Sequence, residues 1–330
     1  MVIDKKCVQG AQLVAEKQPT RHPHLTYSIT LSRQALSSGR KILIIVNPAA
    51  GQSSYEGRLQ QLEKKLQAES LDFQHFYTRR NDKGQLAAFV DASQGFTDLM
   101  VMGGDGTLNY VVNELQGRNL PIGIVSNGTG NDSVKSLHGV TDFHQQVDIA
   151  IHGMPARFDL GLCNGRYFVN GVGIGFDGQV VKEMTDRGSS KSKLDYLRTV
   201  LRIVYGFKEQ MLEFSIDGKT LSRKVLLLTV SNGTTFGGGF VINPFAKTND
   251  GQLDICILNE VHPLLRFWHL PKLKNGSHHK IKAAEFYRSQ QMSIAPSDRL
   301  VAHLDGEYIG HPPFDISIQK AQLLVMVKKQ

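Results

Sequence analysis

The chain has 330 residues, 41% of them apolar and 21% charged, which is the composition of a globular protein and not of a disordered one, and its length suits one large domain or two ordinary ones. A formal charge of +8 favours anionic partners: nucleotides, nucleic acid or an anionic membrane face. No run of about 18 apolar residues is present, the start MVIDKKCVQG lacks the apolar core of a signal peptide, and Cys7, Cys163 and Cys256 lie far apart with no CxxC or Cys/His cluster. A transmembrane span, a disulfide framework and a zinc site are therefore unsupported, and a soluble or surface-bound protein of the reducing cytosol is expected.

Residues 1–40 are polar and carry no assignable chemistry; they read as an arm or one added strand. From Lys41 short β-branched apolar runs alternate with helical patterns, the signature of a parallel sheet covered by helices. KILIIVN (41–47) reads as a buried strand, and YEGRLQQLEKKLQAE (55–69) as a helix whose Leu59, Leu62 and Leu66 share one face. FQHFYT (73–78) is a second strand, NDKGQLAAFVDAS holds a second helix, DLMVMG (98–103) a third strand, LNYVVNEL a third helix and LPIGIVSNG (120–128) a fourth strand. The expectation for 41–155 is a doubly wound, Rossmann-like α/β domain. Beyond that, RFDLGLCNGRYFVNGVGIG, MLEFSIDGKTLSRKVLLLTVSNG, GQLDICILNE, QMSIAPSDRLVAHLDGEYIG and FDISIQKAQLLVMVKK read as antiparallel strands, with one helix at 192–207. A second domain at 156–330, an antiparallel β-sandwich whose last strand returns to the first domain, is expected.

Three small-residue turns end strands of the first domain: NPAAG (47–51), GGDG (103–106) and NGTGND (127–132). In doubly wound sheets ligands bind at the carboxyl edge, and Gly103, Gly104 and Gly106, between a strand and a helix, let bare backbone and a helix N-terminus approach a phosphate. Asp105 would repel phosphate directly, so a Mg²⁺ ion or its waters is the partner that suits it. A nucleotide triphosphate is the simplest ligand of this kind.

Two competing motifs are weak. GxxxxGK[ST] is absent, because IDGKT (216–220) has Glu213 where its first glycine belongs and reads as a hairpin turn. GIGFDG (173–178) spells GxGxxG but lacks a convincing βαβ unit. Asp-Gly, a favoured turn pair, recurs at Asp105, Asp177, Asp217, Asp250 and Asp305, so each of these acids has a plain turn as its alternative. If a strand ran through 303–307, Asp305 and Glu307 would project to one face. HPLLRFWHLPKLKNGSHHKIKAAEFYR (262–288) sets six Lys/Arg against one Glu with Leu264, Leu265, Phe267, Trp268 and Leu270 interleaved, suited to an anionic bilayer or, equally, to a solvated basic face over a packed Trp268. His278–His279 have no third ligand at metal spacing.

NPAAG, GGDGTLN, GTGND, FDLG (158–161), FVNGVGIGFDG (168–178), NDGQLD (249–254) and HLDGE (303–307) stand in the order seen in the diacylglycerol kinase catalytic family, which residues 41–330 resemble, above all its soluble bacterial lipid kinases. The resemblance implies transfer of phosphate from ATP, with Mg²⁺, to a lipid hydroxyl. By it Asn47, Pro48, Ala49, Ala50, Gly51, Thr78, Gly103, Gly104, Asp105, Gly106, Thr107, Leu108, Asn109 and Thr129 surround the nucleotide. Asp305 or Glu307 is the base, Asp105 and Asp159 complete an acidic network, and Asp250 with backbone carbonyls near Lys247 and Gln252 forms a structural Mg²⁺ site. Tyr110, Asn127 and Gly178 depart from the family's common glutamate, proline and alanine. Two alternatives stay open: an NAD kinase-like kinase of a soluble metabolite, which would use the same GGDG turn, and a catalytically silent nucleotide- or lipid-binding regulator, favoured by Tyr110 and opposed by Asp105, Asp305 and Glu307. The partners expected are a lipid alcohol and the inner face of an anionic membrane, with a homodimer compatible and nucleic acid unsupported by any motif.

Overall fold

The computed structural model describes residues 39–330 apart from 52–54, 80–81, 94, 129, 189–192 and 330, so the amino-terminal extension up to Ser38 and Thr129 lie outside the described residues. The first half runs β1 (Lys41–Val46), α1 (Glu56–Ala68), β2 (Asp72–Tyr77), α2 (Gln85–Ala92), β3 (Asp98–Gly103), α3 (Asp105–Glu114), β4 (Ile122–Ser126), α4 (Asp132–Leu137) and α5 (Phe143–His152). Its strands pair in parallel in the order β2-β1-β3-β4. Because helices cover both faces, β1 is apolar at every interior position and its side chains alternate between two cores. Leu43 and Ile45 pack with Leu108, Val111 and Val112 of α3, while Ile42, Ile44 and Val46 pack with Leu59, Leu62 and Leu66 of α1 and with Val147 and Ile151 of α5. Full burial of each such side chain contributes roughly 1.5–3 kcal/mol.

The second half contains β5 (Met154–Cys163), β6 (Arg166–Phe168), β7 (Gly171–Gly175), α6 (Phe176–Asp186), α7 (Lys193–Gly206), β8 (Gln210–Ile216), β9 (Lys219–Ser231), the short pair β10 (Thr235–Phe236) and β11 (Phe240–Val241), β12 (Leu253–Asn259), α8 (Pro263–Asn275), β13 (Ala284–Ser289), β14 (Gln291–Ile294), β15 (Ala302–Leu304), β16 (Glu307–Gly310) and β17 (Phe314–Val327). Inward residues of β7, β8, β9, β12, β14, β15 and β17 form a separate sandwich-like core that includes Phe168, Phe214, Ile255 and Phe314. The β8–β9 hairpin closes on Asp217 and Gly218, both at positive φ, so IDGKT is a tight two-residue turn.

β17 joins the halves. Its last residues lie parallel to β4 at Val325–Ile122, and along most of its length it runs antiparallel to β5, from Ile316–Cys163 to Val327–Met154. The hydrogen-bonded sheet is therefore continuous from β2 to β16. Helices α4, α5, α6 and α8 have no counterpart in the strand-and-helix pattern expected from sequence. No described helix is long and apolar enough to cross a membrane.

Candidate active site

The three small-residue turns converge at the carboxyl edge of β1, β3 and β4. Asn47 Nδ2 donates to Thr107 Oγ1 at 2.9 Å, its Oδ1 accepts the Ala49 N–H at 3.0 Å, and Asn127 Nδ2 donates to the Ala50 carbonyl at 3.2 Å. The turns also touch through bare backbone: a Cβ added at Gly128 would lie 2.6 Å from Gly104 Cα, and one at Gly51 would lie 2.2 Å from the Asn127 carbonyl oxygen. Gly51 has φ +82°, so a side chain there is excluded twice, by space and by conformation. Gly104 is the N-cap of α3, whose first N–H groups have no intrahelical partner and whose dipole favours an anion. Pro48 and Ala49 line this edge exposed, Ala50 is buried, and Thr78 closes the end of β2, its N–H donating to Val46 O at 2.9 Å.

Within this cradle Asp105 faces α4 and not open solvent. Its carboxylate accepts the N–H of Ser133 at 2.8 Å and of Asp132 at 3.2 Å, which fixes the NGTGND turn against the GGDG turn. Burial raises its pKa, opposed chiefly by the Ser133 N–H. Gly130 lies against both Asp105 and Asp132, a Cβ there meeting their Oδ2 atoms at 3.2 and 3.6 Å. Among the described residues no group of three His, Cys, Asp or Glu is placed to hold a metal. One or two carboxylates beside a phosphate site is nonetheless the donor set that Mg²⁺ takes when it arrives with a nucleotide.

The HLDGE segment turns back on itself. Asp305 and Gly306 have φ +47° and +86° and close a two-residue hairpin between β15 and β16, with Leu304 opposite Glu307. The two acids consequently do not share the face of one strand. Asp305 is enclosed: Oδ2 accepts from Val169 N at 2.7 Å and Asn109 Nδ2 at 2.9 Å, and Oδ1 accepts from Asn170 N and Gly171 N, each at 2.9 Å. Burial raises the pKa of this carboxyl, opposed by the four donors. Glu307 has a side chain 52% exposed, is paired with Arg166, and lies over the GGDG turn, its Oε1 being 3.6 Å from where a Gly106 Cβ would stand.

Asn109 couples the two parts. Besides Asp305 it donates to Tyr167 O at 3.0 Å, and its Oδ1 accepts from Arg166 at 3.1 Å. Beneath the hairpin, His303 Nδ1 accepts the Gly306 N–H at 3.3 Å and Nε2 faces Asp177 Oδ2 at 3.3 Å, so Asp177, in the first turn of α6, braces the tip that carries Glu307. Arg166 bears no sequence signal, since it meets Glu307 across a gap of 141 residues, and His303 opens the HLDGE motif without an expected role.

Three expectations are corrected by the geometry. Leu108 is 2% exposed in the core beneath α3, so its side chain has no access to a nucleotide. Asp159 does not join an acidic network with Asp105, because its oxygens accept the N–H groups of Gly251 at 2.7 Å and Ala321 at 2.8 Å and pin β5 to the 249–253 turn and to a bulge in β17. Around Lys247, Asp250 and Gln252, Asp250 accepts the Gln252 N–H at 3.1 Å and pairs with Arg288, which also reaches Asp254 Oδ1 at 3.3 Å. A guanidinium thus takes the place of a cation there, and the set does not fit a metal centre, although Asp254 Oδ2 is buried without a partner. Tyr110 is not a void left by a missing glutamate: its hydroxyl donates to Asp82 O at 3.3 Å, while Glu114, one turn on, accepts the Gly84 N–H at 2.8 Å. Together they hold the 82–84 loop that follows Thr78.

An anion cradle at a helix N-terminus facing a carboxylate held by an arginine is an arrangement suited to phosphoryl transfer. The family model for the diacylglycerol kinase catalytic domain matches residues 41–163, and the model for the YegS C-terminal NAD kinase beta sandwich-like domain matches 170–327. Residues 41–163 thus match a diacylglycerol kinase catalytic domain, and the chain is a kinase. A diacylglycerol kinase of Bacillus subtilis (strain 168) is 27% identical over 302 residues, spanning 88% of this chain and 98% of its own, and one of Staphylococcus carnosus (strain TM300) is 25% identical over 298 residues. The crystal structure of a diacylglycerol kinase from Bacillus anthracis str. Sterne shares the fold, with a TM-score of 0.66 at 20% identity over 88% of this chain and 97% of that one.

Proposed function

We propose that this kinase transfers the γ-phosphate of ATP to the hydroxyl of a lipid alcohol of the diacylglycerol class, with Glu307 as the base. The single observation that supports this assignment is the contrast between the acids of LDGE: Asp305 is consumed by four donors, whereas Glu307 is accessible, aimed by Arg166 and adjacent to Gly106. Phosphoryl transfer rests on positioning and charge neutralisation, with a carboxylate accepting the proton of the attacking hydroxyl. In this reading the backbone of Asn47–Gly51 and Gly103–Gly106 cradles the phosphates and the α3 N-terminus stabilises their charge. Glu307 takes the acceptor's proton at one carboxylate oxygen while Arg166 holds the other. Asp305 and Asn109 keep the hairpin at a fixed distance from the phosphate turn. Mg²⁺, when bound with the nucleotide, would neutralise phosphate charge, with Asp105 the carboxylate placed to hold it or its waters.

Transfer of label from γ-labelled Mg-ATP to diacylglycerol in mixed micelles tests the proposal, with NAD as the soluble acceptor because the second family model describes an NAD kinase-like sandwich. Label in the lipid, lost in Glu307→Gln, is the expected result. Label in NAD would replace the lipid reading, and ATP binding without label in any acceptor would replace catalysis with a silent binding role.

A further inference from the structure

Helices α7 and α8 turn large apolar side chains outward. On α7 Leu197, Leu201 and Tyr205 lie along one exposed row, Tyr205 at 61% exposure, while Val200, Ile203 and Val204 occupy the buried row. On α8 Leu264, Leu265 and Trp268 are 66%, 53% and 74% exposed, yet Arg266 among them is buried. Its guanidinium pairs with the buried Glu209 and donates to the carbonyls of Val261, Val204 and Phe207. This clamp inverts the usual partition of charged and apolar residues and fixes α8 on the end of α7 with its apolar side out. The Tyr205 and Phe267 rings, 6.3 Å apart, join the two rows into one patch.

We propose that this α7–α8 face docks on an anionic lipid bilayer, a partner assignment that rests on the lipid-kinase reading above. Three observations carry it. A contiguous exposed apolar surface of this kind marks an interaction site. Its setting is basic: Arg198 and Arg202 lie on the exposed side of α7, Arg202 paired with Glu183, and Lys272 and Lys274 stand in the last turn of α8. The same helices connect to the hairpin through α6, since Phe207, just past α7, packs edge-on against Phe176 of α6, and Lys182 of α6 lies 5.9 Å over the ring of Tyr308 on β16, next to Glu307. A second copy of the chain fits less well, because a two-fold contact would set this basic face against itself in a chain of charge +8.

Trp268 is the chain's single tryptophan and so an intrinsic probe of the face. The full chain is mixed with vesicles of phosphatidylglycerol and phosphatidylcholine, with phosphatidylcholine alone, and with bromolipid-containing vesicles, following Trp268 emission. A blue shift and bromolipid quenching confined to the anionic vesicles are expected. Leu201→Glu should abolish both and lower transfer to vesicle-embedded diacylglycerol by about tenfold or more while leaving transfer to a monomeric short-chain diacylglycerol unchanged. Leu265→Glu should behave alike. An unchanged emission spectrum alongside normal phosphorylation of the short-chain lipid would overturn docking and leave the kinase reading standing. Insertion into anionic vesicles without transfer to any lipid alcohol would support docking and overturn the kinase reading instead. Equal shifts with both vesicle types would overturn the anionic requirement, and a shift that tracks protein concentration without lipid, with a dimer in sedimentation, would assign the face to a second copy.

Discussion

Asp305 and Glu307 are two residues apart and do different work, and the difference follows from one turn. A positive φ at Asp305 and Gly306 reverses the chain, so Asp305 points back into donors from the 169–170 link, the start of β7 and α3 while Glu307 starts a new strand over the GGDG turn. Replacing Asp305 by Asn sets an amide N–H₂ against two of those donors, at a cost of about 2–3 kcal/mol; thermal melting should fall by roughly 5–10 °C. Glu307→Gln removes the proposed proton acceptor but leaves a half-exposed ion-pair position, worth little to stability. Its melting temperature should match wild type while kcat falls about 10²–10⁴-fold, and the reverse pattern, Asp305→Asn stable but inactive, would exchange their roles. Tyr110 gives a third case: Tyr110→Phe loses one hydrogen bond to Asp82 O and keeps the ring's packing, so a loss near about 1 kcal/mol and near-normal turnover are expected. A collapse of ATP binding in that variant would instead place the hydroxyl in the nucleotide site.

Strands and helices were legible where the apolar pattern matches the packing. Leu59, Leu62 and Leu66 of α1 and the continuous run of β1 are buried as their spacing requires. α6 was not legible because its described buried residues are only Gly178 and Val180, too few to make a period. α8 misleads more deeply, since a charged Arg266 faces inward while Leu264 and Trp268 face out, so hydrophobic periodicity points away from its packing side. The site divided in the same manner: GGDG and its neighbours stand on local turn chemistry, whereas Arg166 depends on long-range pairing that leaves no local trace. The junction of β9, β12 and β13 shows such pairing as a stability device. Hydrogen bonding to Arg223 holds the Glu285 carboxyl well below the usual range, to about 2, with help from Tyr287 and Asn259 and against the effect of burial. A carboxylate with a depressed folded-state pKa adds stability that is present above its ordinary pKa and is lost as pH falls towards the folded value. Glu285→Gln should therefore be less stable than wild type by about 1–2 kcal/mol near pH 7 after allowance for solvent screening, and the two melting curves should converge as pH falls from about 4.5 to 2. A constant difference across that interval would show that the network is not the source.

At the scale of the whole molecule the last strand decides whether two halves act as one. β17 supplies the outer neighbour of β4, pairs with β5 on its other side and with β14 further back, and so carries sheet hydrogen bonds from the parallel half into the sandwich. The proposed catalytic geometry needs that continuity, because the three small-residue turns follow β1, β3 and β4 while Glu307 belongs to β16, and a hinge between them would vary the distance over which phosphate would pass. Val325 is fully buried in the core shared by β1, β3, β4 and α3. Val325→Ala should cost about 2 kcal/mol through lost burial and the cavity left behind. If β17 makes the described residues one cooperative body, calorimetry will show a single transition that moves down as a whole by roughly 4–8 °C, with unfolding of the nucleotide cradle and of the sandwich coincident by separate probes. A second, unshifted transition in the variant would mean that the sandwich folds without its seam to the first half, and that the distance between Gly106 and Glu307 is set by contacts at the hairpin, through Asn109 and Arg166, and not by the sheet.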